Sequence, residues 1–168
     1  MQALRAIGGS SLTDPGIAME HGNFWREKVP STYVPFRNAH LLAACVSWAE
    51  VLGAQNIFVG FVEHDSSGYP DCSESFVRAF EAAANIGTRP ETSIRINAPL
   101  IYMTKAEIVK VGISLNAPLH LTWSCYRTET VACGLCDSCL LRLRGFRQAG
   151  HKDPICYIDR EKHPEGTT

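Results

Sequence analysis

Apolar positions recur along this chain with two different periods, and they alternate. Leu41, Leu42, Cys45, Val46, Ala49 and Leu52 fall at helical spacing, with Asn38 as the capping residue before them and Gly53 after them. Asn56 to Val62 is then a continuous apolar run, which predicts a strand buried on both faces, as in a parallel sheet. Phe76, Val77, Phe80, Ala83 and Ala84 return to helical spacing, with Ser73 or Asp71 as cap and Gly87 as terminator. Ser93 to Asn97 alternates polar and apolar, which predicts a strand nearer the sheet edge. Thr104-Lys-Ala-Glu107 has the form of a capping box and opens a helix running through Ile108, Val109 and Val111 to Gly112. Leu140 to Phe146 predicts an amphipathic helix ending near Gly150, its arginines on a solvated face. Helix, strand, helix, strand, helix is the order of an α/β fold. Residues 1–33 show little periodicity beyond a short helix over Met1 to Ile7, and the polar tail His151–Thr168 is expected to be partly loose.

Composition narrows the function. The chain has 168 residues, 45% of them hydrophobic, and a formal net charge of -1. That balance gives no basic face for nucleic acid. No apolar run approaches the roughly 18 residues of a membrane span. The first residues lack the apolar core of a signal peptide, so the expected location is cytoplasmic, where thiols stay reduced.

The cysteines change the picture most. Cys125, Cys133, Cys136 and Cys139 fall within fifteen residues, the last three at x2 spacing. Four thiolates close a tetrahedral zinc shell with no open position, so a structural Zn2+ is the expectation. Gly134 suits the tight turn between Cys133 and Cys136. An iron–sulfur cluster uses the same four ligands, although the ferredoxin-like ending is missing. Four buried or disulfide-bonded cysteines are the third reading. Cys45 reads as core, Cys72 as packing and Cys156 as unliganded.

The loop Glu63 to Cys72 follows the predicted central strand, the place where open α/β sheets bind ligands. Asp65 and Asp71 suit a base edge or a metal, Ser67 a ligand carboxylate, Gly68 a close backbone approach, and Tyr69 stacking. A polar turn with self-bonded Asp and Ser is the competing reading, and His64 reads as solvated. Arg37, at a loop-to-helix junction, is either a solvated arginine or an anion contact. Lys105 lies in a first helical turn, where a cation opposes the helix dipole, so it either faces an anionic ligand or is merely tolerated.

Taken in order, Val34-Pro-Phe-Arg-Asn38, Asp65-Ser-Ser-Gly-Tyr-Pro-Asp-Cys72, Thr104-Lys-Ala-Glu107, Ser124-Cys125-Tyr126 and Cys133-Gly-Leu-Cys136-Asp-Ser-Cys139 resemble the C-terminal part of the 7-cyano-7-deazaguanine synthase (QueC) family. The resemblance covers nearly the whole chain. It implies part of a Rossmann-like ATP pyrophosphatase (adenine nucleotide alpha hydrolase-like) fold, with a small four-cysteine zinc lobe. It implies a carbon–nitrogen ligase that turns 7-carboxy-7-deazaguanine, ammonia and ATP, with Mg2+, into the nitrile through an acyl-adenylate, an amide and a second activation. By the same resemblance the four cysteines bind zinc, Asp65, Ser67, Tyr69 and Asp71 line the deazaguanine pocket, and Arg37 and Lys105 act at phosphate or the activated carboxylate.

Three departures qualify it. Phe36 stands where the family motif has glycine, and Ser73 where it has arginine. The family's Ser-Gly-Gly-x-Asp-Ser phosphate loop has no counterpart, since Gly8-Gly9-Ser10-Ser11 follows no buried strand. The expected organisation is a partial nucleotide- and substrate-binding domain over 1–115 and a zinc lobe with a C-terminal helix over 116–168. Two functions follow: a fragment of the synthase that does not turn over ATP by itself, or a non-catalytic zinc-stabilised binding module. A sheet with an open edge favours self-association into a homo-oligomer. Neither direct nucleic-acid binding nor membrane contact is expected.

Overall fold

The structure, a computed structural model, describes residues 2–23, 28–63 and 68–158. Chain contacts divide it into two compact units, Met1–Ala18 with Lys28–Tyr102, and Met19–Glu27 with Met103–Thr168. The elements in chain order are α1 (Gln2–Ile7), α2 (Arg37–Leu52), β1 (Asn56–Phe58), α3 (Glu74–Gly87), β2 (Arg95–Asn97), α4 (Lys105–Ser114) and α5 (Asp137–Gln148). Single 3-10 turns lie at Pro70–Cys72 and Leu119–Leu121. No helix among the described residues is long and apolar enough to cross a membrane.

The first unit is α/β. β1 and β2 pair in parallel, Ile57 opposite Ile96, and α3 makes the crossover between them. One core joins Leu42, Val46 and Ala49 of α2, Ile57 of β1, Val77 and Ala84 of α3, and Ile94 and Ile96 around β2. Ser73 caps α3, its hydroxyl accepting the Phe76 N–H at 3.2 Å. Gly53 ends α2 in the left-handed region, φ 66°. The parallel pairing, the Ser73 cap and the Gly53 stop all agree with the sequence pattern.

Four expectations are corrected. The apolar run yields a strand of three residues, buried on one face only: Ile57 points inward while Phe58 is 74% exposed. On α2 the buried stripe is Ala39, Leu42, Val46 and Ala49, while Leu41, Cys45 and Leu52 are exposed. A 3.6-residue period admits two adjacent stripes, and the helix's packing against Ile57 and Val77 selects between them. Ala83 of α3 is likewise exposed. Asn38 is not the cap of α2 but lies inside its first turn, buried, and Phe36 occupies the cap position with no side-chain cap bond.

In the second unit α4 and α5 pack so closely that a Cβ on Gly145 would meet the Cβ of Lys105 at 2.6 Å. Val109, Phe146 and Ala149 fill that seam. The capping box of α4 is complete: Thr104 Oγ1 accepts the Glu107 N–H at 3.2 Å, and Glu107 accepts the Thr104 N–H at 2.7 Å. The hydrogen bonds to Thr104 hold the Glu107 carboxyl below the usual carboxylate range. α4 runs to Ser114, past Gly112. One further expectation changes here. Arg142 of α5 is not solvated but paired with Asp153 at 2.6 Å. Within the tail, Asp153, Ile155 and Tyr157 are buried and Tyr157 is bridged in parallel to Ala132, whereas 159–168, the rest of the stretch expected to be partly loose, lie outside the described residues.

Candidate metal centre and substrate loop

Three local devices bring the cysteines together. Trp123 Nε1–H donates to the carbonyls of Cys125 and Thr128, both at 3.1 Å, and closes the loop that begins at Cys125. Gly134, at φ 72°, turns the chain between Cys133 and Cys136. Cys136 then caps α5, and Cys139 lies in its first turn. The result is four buried sulfurs, all within 4.8 Å of one another, with Cys133 and Cys139 at 3.9 Å.

That geometry fits a tetrahedral tetrathiolate ion. Bonds of roughly 2.3 Å put neighbouring sulfurs about 3.8 Å apart. Backbone N–H groups already point at the sulfurs: Arg127 and Cys133 donate to Cys125 Sγ at 3.4 Å, and Leu135 donates to Cys133 Sγ at 3.4 Å. Such donors lower the energy of thiolates. The hydrogen bond from Cys139 draws the Cys136 thiol down to about 5, and the same bond, with burial behind it, drives Cys139 up. Burial raises Cys133. At Cys125 burial works upward, but the bonds from Cys133, Thr128 and Arg127 outweigh it and the group is lowered.

A strap from far upstream holds the cysteine loop. Gly22 N–H donates to the Leu135 carbonyl at 2.9 Å, and Asn23 N–H to Asp137 Oδ1 at 2.8 Å. Arg127 Nη2 donates to the carbonyls of Met19 and Glu20 at 3.1 and 3.2 Å. Glycine suits position 22, where a Cβ would push Leu140 Cδ1 aside and crowd the Asp137 backbone nitrogen at 3.1 Å. Nothing periodic marks this segment, so the sequence pattern gives no sign of the strap.

In the first unit the structure brings Tyr69 and Asp71 against the segment that carries Arg37. The Tyr69 hydroxyl lies 2.8 Å from Thr32 Oγ1, and its ring sits 5.8 Å from that of Tyr33. Asp71 is 3% exposed, and its Oδ2 accepts the Asn38 N–H at 2.9 Å, capping α2 from another part of the chain. The Asn38 side-chain amide donates to the Asp71 carbonyl at 3.3 Å and to Cys72 Sγ at 3.2 Å. Arg37, the first residue of α2, is half-buried. Asn38, overlooked as anything but a cap, is the residue that ties Arg37 to the loop. Phe36 has φ 56°, a region that favours glycine. Its N–H donates to the Tyr33 hydroxyl at 3.0 Å, and its ring meets Phe76 edge-on at 6.0 Å. Asp65 and Ser67 lie outside the described residues, as does His64. Lys105 is half-buried at the start of α4 in the second unit.

Known proteins match this chain closely. The family model for the queuosine biosynthesis protein QueC matches residues 1–150. The 7-cyano-7-deazaguanine synthase of Chlorobium phaeobacteroides (strain DSM 266 / SMG 266 / 2430) is 56% identical over 157 residues, covering 94% of this chain and 70% of that protein. The synthase of Chlorobium chlorochromatii is 55% identical over 94% of this chain and 69% of its own length. That of Koribacter versatilis is 55% identical over 93% of this chain and 66% of its own length. With half of its residues shared along nearly its whole length, the chain belongs to the queuosine biosynthesis protein QueC family.

Proposed function

We propose that this chain serves 7-cyano-7-deazaguanine synthesis, the ATP-dependent conversion of 7-carboxy-7-deazaguanine and ammonia to the nitrile. The observation that carries the reading is the buried tetrathiolate pocket, in a chain that shares over half its residues with proteins named for that synthesis. The α/β unit is then part of a Rossmann-like ATP pyrophosphatase fold. ATP, with Mg2+, activates the carboxylate and later the amide, because neither oxygen leaves unaided.

Each residue has a task in this scheme. Tyr69, held by Thr32, offers its ring to the flat deazaguanine, Asp65 and Ser67 take its polar edge, and Asp71, buried as the cap of α2, fixes the pocket wall that carries Tyr69. Arg37 in the first unit, and Lys105 in the second, are each assigned a contact with phosphate or the activated carboxylate, since a guanidinium or an ammonium offsets such charge. Cys125, Cys133, Cys136 and Cys139 would hold Zn2+, which, when bound, ties the loop to α5 and leaves no position open for substrate.

One observation favours a second reading, a zinc-stabilised module that binds ligand without turnover. Gly8 and Gly9, both at positive φ, close α1, with Gly8 N–H donating to the Leu4 carbonyl at 3.3 Å. They follow a helix rather than a strand, and so do not form a phosphate cradle of the strand–loop–helix kind. One assay tests both readings. The purified chain is given 7-carboxy-7-deazaguanine, ammonium, ATP and Mg2+, with bound substrate measured by calorimetry and nitrile by mass spectrometry. Substrate binding weakened by Arg37→Ala and Tyr69→Ala, without ATP consumption, is the expected result for this chain as sole protein. Nitrile formation would overturn the second reading. Absence of both binding and turnover would overturn both.

A further inference from the structure

Asp153 is the hub of a buried network that the proposed chemistry does not use. Its carboxylate accepts Arg142 Nε at 2.6 Å and Nη2 at 3.0 Å, the Tyr157 hydroxyl at 2.8 Å and the Ile155 N–H at 3.2 Å. The side chains of Arg142 and Asp153 are only 10% and 2% exposed. Arg142 also donates to Thr122 Oγ1 at 2.8 Å and to the Leu119 carbonyl at 3.2 Å, and its guanidinium lies 5.1 Å from the Phe146 ring centroid. Burying such a pair costs about as much as its attraction returns, so it adds little net stability. What it does supply is direction: a forked donor and a forked acceptor fix one relative placement of the segments that carry them.

Those segments converge on the cysteines. Arg142 stands one helical turn beyond Cys139 on α5. Beyond Asp153, Ile155 and Tyr157 pack into the same buried cluster as Cys125, Cys133, Cys136 and Cys139. The backbone around Tyr157 brackets Ala132: Ala132 N–H donates to the Cys156 carbonyl and Ile158 N–H to the Ala132 carbonyl, both at 2.9 Å. Ala132 is fully buried and immediately precedes Cys133. A continuous physical path therefore runs from the helix of Cys139, through Arg142 and Asp153, to the backbone of Cys133.

We propose that Asp153, with Arg142 and Tyr157, is a positioning group for the four-cysteine centre: it clamps residues 153–157 as a cover over the thiolates and sets how fast metal leaves. The inference rests on the metal reading above. Release of a tetrathiolate ion requires a proton to reach a sulfur or a chelator to reach the ion. The cover blocks that approach, and the bracket on Ala132 keeps Cys133 aimed at the ion.

Zinc content of the purified full chain is measured first, then zinc release to an excess of a chromogenic chelator. Asp153→Asn keeps the shape and removes the charge. Tyr157→Phe keeps the packing and removes only the hydroxyl. Val109→Ala, in the α4–α5 seam, is the control for general destabilisation. Asp153→Asn is expected to speed release about tenfold or more, the range seen when outer-shell partners of a metal site are lost. Tyr157→Phe should speed it by a smaller factor, and Val109→Ala should leave it near the wild-type rate at a temperature chosen to match folded fraction. The cobalt-substituted chain gives a second readout, since a displaced Cys133 changes its thiolate-to-metal absorption. If Asp153→Asn does not fold, Tyr157→Phe alone decides. Zinc-loaded wild type with release unchanged in the folding variants, or equal acceleration by Val109→Ala, overturns the clamp and leaves the metal reading standing. Wild-type chain without zinc or other metal overturns the metal reading, and the clamp with it.

Discussion

The two units are held by different physics. The first rests on apolar burial: a single cluster of aliphatic side chains from α2, α3 and the parallel pair, with hydrogen bonds at helix caps and around the strands and loops that enclose it. The second has only a small apolar seam between α4 and α5 and gathers the rest of its interior around sulfur, a buried arginine–aspartate pair and the strap at 19–23. Apolar contacts are non-directional and tolerate neighbouring solutions. Thiolate ligands and forked charge pairs are directional and fail together when one member is lost. The first unit should therefore yield gradually to packing changes, and the second abruptly to chemical ones.

Metal removal is the widest test of this contrast. A structural tetrathiolate ion supplies roughly 10–16 kcal/mol of apparent free energy, all of it folding free energy for the lobe it closes. Chelation, or Cys136→Ser, should strip hydrogen-exchange protection from residues 120–145 first, while the amides around β1 and β2 keep theirs. Equal loss in both units would break the comparison.

Leu42→Ala reverses the roles. Leu42 is 2% exposed in the first core. The truncation should cost about 2–5 kcal/mol from lost transfer energy and the cavity left behind. Denaturant melts should show that loss in the first unit alone, with metal content unchanged. Metal loss in this variant would mean that the units are not energetically separate.

The smallest effect is at Phe36. Glycine is already favoured over alanine at an N-cap position. At φ 56° that preference should widen, because a Cβ in the left-handed region costs about 1–2 kcal/mol. Phe36→Gly should therefore be more stable than Phe36→Ala by about 1 kcal/mol, since both lose the ring but only glycine relieves the backbone. Alanine equal to or better than glycine would remove the strain from the account. The left-handed cap also gives a physical reason for a glycine in the family motif.

Much of the architecture could be read from the chain because it is local. The Thr104–Glu107 box, the Ser73 cap, the Gly53 stop and the turn at Gly134 each depend on a few adjacent residues and their φ preferences. The cysteine quartet was equally readable, since its members lie fifteen residues from end to end. The failures share one cause. Asn38 looks like a cap until Asp71, 33 residues on, performs that task. Arg142 looks solvated until Asp153 arrives from the tail. The Met19–Asn23 strap has no apolar pattern because it binds through backbone groups, which carry no sequence signature.

Sequence alone determined the order of elements, some of the helix ends (Gly53, Ser73 and Thr104), the four candidate ligands and, through motif order, the family. These are properties of short stretches, where side-chain chemistry and backbone preference act on near neighbours. Tertiary structure decided which stripe of α2 is buried, that β1 has one covered face, and which buried charges meet. Each of those outcomes is a choice between local solutions of nearly equal energy, and only contact with a distant segment separates them.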